Sequence, residues 1–183
     1  MNNLVWIALE TLGDNATTCE VFEVAVVVTS PQLEPLNQFQ SAVMTAHDRP
    51  LAIQIRVDGA TRERFNANGL WEEMAVSSVT PLSVDNNLTR LLDPSAADGP
   101  LTVIASEWDR RVITAQYPAT NALLTPGAWD VDSFVGLSRT FVPRARVALQ
   151  PQHDRVAYQL NSGMQNLAIV VNALRSTKGT PTK

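Results

Sequence analysis

Residues 24–28, Val-Ala-Val-Val-Val, are continuously apolar and lie within a β-branched run from Val21 to Thr29. Such a run predicts a β-strand that is covered on both faces. A second run of this type, Leu4 to Leu9, precedes it, and the polar segment Gly13 to Thr18 separates the two. We therefore predict two paired strands joined by a turn, within the sheet of an α/β or α+β protein.

Further elements follow from turn residues and from the spacing of apolar residues. Strands are predicted at Gln38 to Met44, at Leu101 to Ala105, and at a strand end formed by Trp129 to Val131. The apolar spacing becomes helical from Asp58 onward, and a helix starting at Thr80-Pro81 stops within Asp93-Pro94 to Gly99-Pro100. Later helices are predicted over Asp109 to Tyr117, Ser133 to Phe141 and Val156 to Leu174.

The length of 183 residues and mass of 20.0 kDa are sufficient for one domain with a real core. We assign this domain to residues 1–175 and a flexible polar tail to residues 176–183. No apolar stretch approaches the roughly 20 residues of a membrane span. The first residues have no basic flank and no apolar segment followed by a cleavage site, which favours a cytoplasmic location. The single Cys19 cannot form an internal disulfide, and we expect it to be a buried small apolar residue.

The chain carries a net charge of -4 and has an isoelectric point near 5.1. This balance argues against broad electrostatic attraction to nucleic acid, which depends on lysine and arginine. The acidic composition is still compatible with an enzyme that binds a short oligonucleotide through metal ions and a pocket.

Two short motifs place one acidic residue at the end of a predicted strand and another at the start of the helix that follows a predicted strand. The segment Trp6 to Gly13 reads Trp-Ile-Ala-Leu-Glu-Thr-Leu-Gly, and the segment Ala105 to Arg111 reads Ala-Ser-Glu-Trp-Asp-Arg-Arg. The first resembles the opening motif of the DEDD exonucleases, in which Asp-x-Glu ends a strand, and the second resembles their central motif. Alternate residues of a strand point to the same side, so positions 8 and 10 face one site. Glu10 and Asp109 are retained, but Ala8 stands where the family has its first acid.

The intervening sequence is similar to oligoribonuclease, a member of this superfamily that degrades very short RNA. The likeness lies in Arg64 to Met74, in Ser78-Val79-Thr80, in Glu23-Val24-Ala25 and in Trp129 to Ser133. It covers roughly residues 3–175 and is carried by the order and spacing of the motifs. The resemblance implies a ribonuclease H-like exonuclease fold of the α/β class, with a mixed central sheet of about five strands flanked by helices.

The third motif of the family is His-x-x-x-x-Asp on the final helix, and His153 fits it poorly. In the family, small or apolar residues stand one, four, five and eight positions after the Asp. Counting from Gln159 gives Leu160, Gly163, Met164 and Leu167, whereas counting from Tyr158 gives Gln159, Ser162, Gly163 and Asn166. We therefore predict Asp154 in the histidine position and Gln159 in the aspartate position.

These substitutions remove most of what a two-metal phosphodiesterase requires. Ala8 deletes the ligand that bridges both ions in the family, and Gln159 is a neutral donor and a poor ligand for Mg²⁺. Asp154 is a weak base at neutral pH. Of the five site positions, only Glu10 and Asp109 keep family residues. These two acids either bind one divalent ion weakly or are remnants of the site that are now solvated or hydrogen-bonded. We expect no bound cofactor, or Mg²⁺ or Mn²⁺ if nuclease activity remains. The altered third motif favours natural loss over a laboratory substitution of Ala8.

Other residues of these motifs have two interpretations each. Thr11, Trp108 and Arg110 are candidate nucleic-acid contacts, because aromatic faces stack on bases and guanidinium groups bind phosphate. The alternatives are packing within a helix or core for Trp108 and Trp71, and a surface pair at the start of a helix for Arg110 and Arg111.

The leading hypothesis is a catalytically degenerate exonuclease homologue reused as a binding or structural subunit, within a viral or other larger assembly. Its expected partners are another protein or a second copy of the chain. A second hypothesis is a metal-dependent 3'-5' exonuclease acting on short oligonucleotides through Glu10, Asp109 and Asp154. A third is recognition of short RNA or nucleotides without catalysis.

Overall fold

The computed structural model describes residues 3–44 and 54–130, together with Met164. Five strands form one mixed sheet in the order β3-β2-β1-β4-β5. Strand β1 pairs antiparallel with β2 and parallel with β4; β2 pairs antiparallel with β3, and β4 pairs parallel with β5. The strands are β1 Leu4–Leu12, β2 Glu20–Thr29, β3 Pro35–Ala42, β4 Leu101–Ala105 and β5 Leu124–Asp130. The predicted α/β class with a mixed five-stranded sheet is confirmed.

The predicted burial of β2 on both faces is also confirmed, since every residue from Val21 to Thr29 is buried. The limits predicted for β3 are wrong. The strand begins at Pro35 rather than Gln38 and ends at Ala42 rather than Met44. Pro35 has no N–H, but a register shift near the end of β2 lets it pair opposite Thr29.

Five α-helices and one 3-10 helix lie within residues 59–122. They are α1 Gly59–Ala67, α2 Leu70–Val76, α3 Pro81–Leu92, the 3-10 helix Asp93–Ala96, α4 Glu107–Gln116 and α5 Pro118–Ala122. Polar side chains cap three of them. Asp58 accepts from the N–H of Thr61, Ser106 accepts from that of Asp109, and Thr80 and Ser83 form a reciprocal capping box.

The helix predicted over Asp109 to Tyr117 is wrong at both ends. Helix α4 starts two residues earlier, at Glu107, and Pro118 opens α5 instead of leading into a loop. The Asp85 carboxylate of α3 accepts from the N–H groups of Ala119 and Thr120, at 3.1 and 2.8 Å. A contact from a distant helix therefore sustains a turn that its own sequence does not indicate. The helices predicted over 133–141 and 156–174, and the tail, lie outside the described residues.

The two faces of the sheet carry separate apolar clusters. One face packs under α3 and α4 and includes Val5, Ile7 and Leu9 of β1. The opposite face carries a cluster that we call the site-face cluster, and Met164 packs against it. Its buried members are Trp6, Ala8, Ala25, Val27 and Ile104.

A third cluster joins α1 and α2 to the β2–β3 side of the sheet. The ring of Phe65 packs edge-on against those of Phe22 and Trp71, with centroid distances of 6.3 and 5.1 Å. Trp71 is 5% exposed, so its predicted packing in the core is confirmed. Cys19 is buried, as predicted. Within residues 3–44 and 54–130, no helix is both long and apolar enough to span a bilayer.

Candidate active site

Positions 8 and 10 project from the central strand β1 toward the site-face cluster. Ala8 is 6% exposed and belongs to this cluster of Trp6, Ala25, Val27 and Ile104. The methyl group of Ala8 is therefore in an apolar environment and supplies no oxygen. Met164 packs against the same cluster.

Glu10, two residues further along β1, is held by an arginine from helix α1. The Arg64 Nη1 and Nη2 atoms lie 3.0 and 2.9 Å from the two carboxylate oxygens of Glu10. The two side chains are 28% and 15% exposed. This two-point geometry is the strongest form of a guanidinium–carboxylate contact, because each oxygen receives its own N–H.

A second carboxylate lies directly opposite Glu10 on the neighbouring strand β2. Glu23 of β2 is the antiparallel partner of Glu10 and is 1% exposed. Opposed residues of an antiparallel pair place their side chains on the same face. The side-chain amide of Gln40 donates to one oxygen of Glu23 over 2.8 Å. The face that carries Ala8 thus ends in two neighbouring acids.

Asp109 lies in the first turn of α4 and is 8% exposed. Its N–H donates to the hydroxyl of Ser106, which caps the helix, over 3.0 Å. A carboxylate is favoured at this end of a helix because the partial positive charge of the helix dipole lies there. Local helix geometry thus accounts for an acid at this position.

A hydrogen bond connects the two segments that carry Glu10 and Asp109. The indole N–H of Trp108 donates to the Thr11 hydroxyl over 2.9 Å. Trp108 also packs on the core, and the Arg111 guanidinium lies 5.8 Å from its ring centroid. Trp108 and Thr11, two of the candidate nucleic-acid contacts, are therefore hydrogen-bonded to each other.

Arg110 is buried, so the expected surface pair is wrong for this residue, although Arg111 is exposed. Its guanidinium donates to the Thr114 hydroxyl, to the Asn121 side-chain oxygen and to the Thr125 carbonyl, at 2.7, 2.7 and 2.9 Å. Burial lowers the pKa of Arg110 from its ordinary value. These contacts link α4 to α5 and to β5.

The described residues do not provide a donor set suited to a pair of divalent ions. No group of three His, Cys, Asp or Glu side chains able to hold a metal occurs in the ranges 3–44 and 54–130. Ala8 contributes no ligand, and Arg64 contacts both oxygens of Glu10. The predicted site residues Asp154 and Gln159 lie outside the described residues.

Sequence reasoning did not identify Arg64 as a partner of Glu10. The two residues are 54 positions apart, and no local pattern connects them. Glu23 was noted only as part of a family-like segment. The one signal that marked Glu23 was its charge within the otherwise apolar run from Val21 to Val28.

The sequence is similar to several bacterial oligoribonucleases. That of Rhodococcus jostii strain RHA1 is 30% identical over 146 residues, covering 78% of this chain and 72% of the relative. That of Nitrosomonas europaea is 26% identical over 160 residues, covering 85% and 87%. No family model matches the chain.

Solved structures of exonuclease I share the fold. Exonuclease I from Methylocaldum szegediense superimposes with a TM-score of 0.62 at 14% identity, covering 94% of this chain and 41% of that one. A zinc-bound complex of the E. coli enzyme with single-stranded DNA gives 0.58 at 13% identity, covering 97% and 41%. The chain thus spans about two fifths of the length of these enzymes, and the likeness concerns fold alone. The strand order, Glu10 near the end of β1, Asp109 in the first turn of α4 and the extent of the sequence match together place this chain in the oligoribonuclease family, within the DEDD exonuclease superfamily.

Proposed function

We propose that this chain is a catalytically degenerate member of the oligoribonuclease family that acts as a binding or structural subunit. The observation that carries the proposal is the environment of Ala8. Its methyl group packs in the site-face cluster at the position where the family motif has its first acid. A carboxylate there would need several polar partners, because burying an unpaired charge among apolar groups is costly.

The packing of Met164 supports the assignment of Gln159 to the last acid position. With Gln159 in that position, Met164 stands five residues later, where the family has a residue packed on the sheet. Met164 does pack on the cluster that contains Ala8. The alternative count from Tyr158 puts Gly163 at that place.

Two alternatives rest on the acids that remain. Glu10 lies on β1 and Asp109 in the first turn of α4, and these two acids support a residual exonuclease dependent on Mg²⁺ or Mn²⁺. The second alternative is oligonucleotide binding without catalysis, for which the complex of exonuclease I, a protein of similar fold, with single-stranded DNA is a precedent. In the degenerate form, the partner is a protein or a second copy of the chain, in the cytoplasm or within a larger assembly.

Cleavage of a short end-labelled RNA in Mg²⁺ or Mn²⁺ tests the proposal. We compare the unaltered chain with Asp109→Ala and with a restored variant carrying Ala8→Asp, Asp154→His and Gln159→Asp. No cleavage by the unaltered chain and cleavage by the restored variant is the expected result. Cleavage by the unaltered chain that disappears in Asp109→Ala would refute the proposal and establish a metal-dependent nuclease.

Two controls separate loss of chemistry from loss of fold or of binding. Circular dichroism and thermal melting verify that the restored variant is folded, since Ala8→Asp introduces a charge into an apolar cluster. Fluorescence anisotropy with the same RNA in EDTA measures binding without metal. Binding without cleavage would favour the recognition function over a purely structural one.

A further inference from the structure

We infer that Arg64 is the built-in cation of the acidic site and holds the Glu10 carboxylate in place of a divalent metal ion. The inference rests on the proposed function, because it explains how the acids persist after metal chemistry is lost. It assigns to Arg64 a role as an internal counter-ion that no motif of the chain indicates.

The first argument is the geometry of the contact. Two guanidinium nitrogens reach the two oxygens of Glu10 at 3.0 and 2.9 Å. A metal ion chelated by this carboxylate would need the same oxygens. Guanidinium and metal therefore compete for one ligand. The planar fork of arginine matches a carboxylate in a way that lysine does not.

The second argument is the charge around Glu10. Glu23 lies directly opposite on β2 and is 1% exposed. Like charges opposed across two strands are destabilising. The guanidinium of Arg64 offsets part of this repulsion, which is the electrostatic task of metal ions in acidic sites.

The third argument is the anchoring of Arg64. Its neighbour Phe65 is 1% exposed and packs edge-on between Phe22 and Trp71. Helix α1 is thus fixed to the β2 side of the sheet, with Arg64 within reach of the end of β1. The guanidinium also lies 4.7 Å from the centroid of the Phe65 ring. The backbone at Arg64 is therefore anchored through a core residue, while the side chain itself is half-buried, at 28% exposed.

The test is thermal melting with added Mn²⁺, without RNA. The variant Arg64→Gln removes the cation and retains a polar side chain. Arg56→Gln is the matched control, because Arg56 forms a more exposed ion pair with Glu20 at 2.6 Å. A ligand that binds only the folded state raises the melting temperature. At about ten times its dissociation constant, Mn²⁺ should raise the melting temperature of Arg64→Gln by about 3–6 °C.

We expect shifts below about 1 °C for the unaltered chain and for Arg56→Gln under the same conditions. If Arg64→Gln fails to fold, Arg64→Lys serves instead, and its shift should exceed that of the unaltered chain. Equal shifts in the Arg64 variant and the unaltered chain would overturn the inference, whether both are large or both are absent. The RNA cleavage assay is independent of this outcome. If the unaltered chain does not cleave RNA and Arg64→Gln shows no Mn²⁺ response, the inference about Arg64 is refuted while the proposed function stands.

Discussion

Trp108 and Thr11 are joined by a hydrogen bond of 2.9 Å, and each is the immediate neighbour of one retained acid, Asp109 or Glu10. The bond fixes the first turn of α4 against the end of β1. It is also a contact between two residues that the sequence marked as candidates for binding nucleic acid.

Removing either partner should lower stability by a modest amount. We expect Trp108→Phe and Thr11→Val each to reduce the free energy of unfolding by about 0.5–1.5 kcal/mol. The double variant should lose less than the sum, because both changes remove the same bond. Urea denaturation of the four proteins measures this coupling. Strict additivity would show that the bond contributes nothing to stability.

Asp85 should contribute strongly to stability although it belongs to none of the site motifs. Its carboxylate accepts from the N–H groups of Ala119 and Thr120 and from the Thr120 hydroxyl, at 3.1, 2.8 and 2.7 Å. Asp85→Ala leaves these donors without that acceptor and should cost about 2–4 kcal/mol of unfolding free energy. Asp98→Ala, at an exposed acid, is the control and should change it by less than about 0.5 kcal/mol. Chemical denaturation that shows equal losses would contradict the capping role.

Arg110 and Arg111 are adjacent, but the first is buried and the second is exposed. Substituting each in turn compares the stability contributed by a buried and by an exposed guanidinium. Arg110→Met removes three hydrogen bonds inside the domain and should cost about 2–4 kcal/mol of unfolding free energy. Arg111→Met removes an exposed guanidinium near Trp108 and should cost less than about 1 kcal/mol. Thermal or urea melts compare the two. A mild effect of Arg110→Met would show that its contacts are dispensable.

Tyr117 should make the protein sensitive to alkaline pH. Its side chain is 1% exposed, and among the described residues its hydroxyl has no hydrogen-bond partner. Burial raises its pKa above the ordinary value of 10.0. A raised folded-state pKa gives stability that is complete below the unfolded pKa and is lost as pH rises above about 10 toward the folded pKa, because the unfolded chain ionises first.

Tyr117→Phe removes both the ionisable group and the buried hydroxyl that has no hydrogen-bond partner among the described residues. At pH 7 the variant should match the unaltered chain within about 0.5 kcal/mol or exceed it. Between about pH 10 and 11 it should lose less stability than the unaltered chain. Urea midpoints across this range provide the measurement. Parallel pH profiles for the two proteins would show that Tyr117 does not titrate on unfolding.

Local patterns predicted the elements that depend on neighbouring residues. The Val24 to Val28 run predicted a strand buried on both faces, and Thr80-Pro81 predicted the start of α3. Helix α5 was missed because Pro118 alone indicates a helix stop. The acceptors that sustain α5 belong to Asp85, on another helix. Tertiary contacts of this kind leave no periodic signal in the sequence.

The site was predictable only where residues sit in motifs. Glu10 and Asp109 were singled out because their segments resemble family motifs at a strand end and at a helix start. The contact between Arg64 and Glu10 was not predicted, because it depends on how Phe65 packs α1 against the sheet. Arg110 was expected to form a surface pair with Arg111 at the start of a helix, but it is buried. Its polar partners Asn121 and Thr125 become available only when α5 and β5 fold against α4.

The position of β1 at the centre of the sheet makes assembly depend on chain order. Strands β1, β2 and β3 are consecutive, whereas β4 comes after helices α1, α2 and α3 and only then pairs with β1. A growing chain that ends before Leu101 therefore has no β4 to pair with β1, and the strand presents an open hydrogen-bonding edge flanked by apolar Val5 and Ile7. Such an edge is a template for self-association. Light scattering of a chain truncated before Leu101 should detect aggregates, whereas the full chain covers this edge with its own β4.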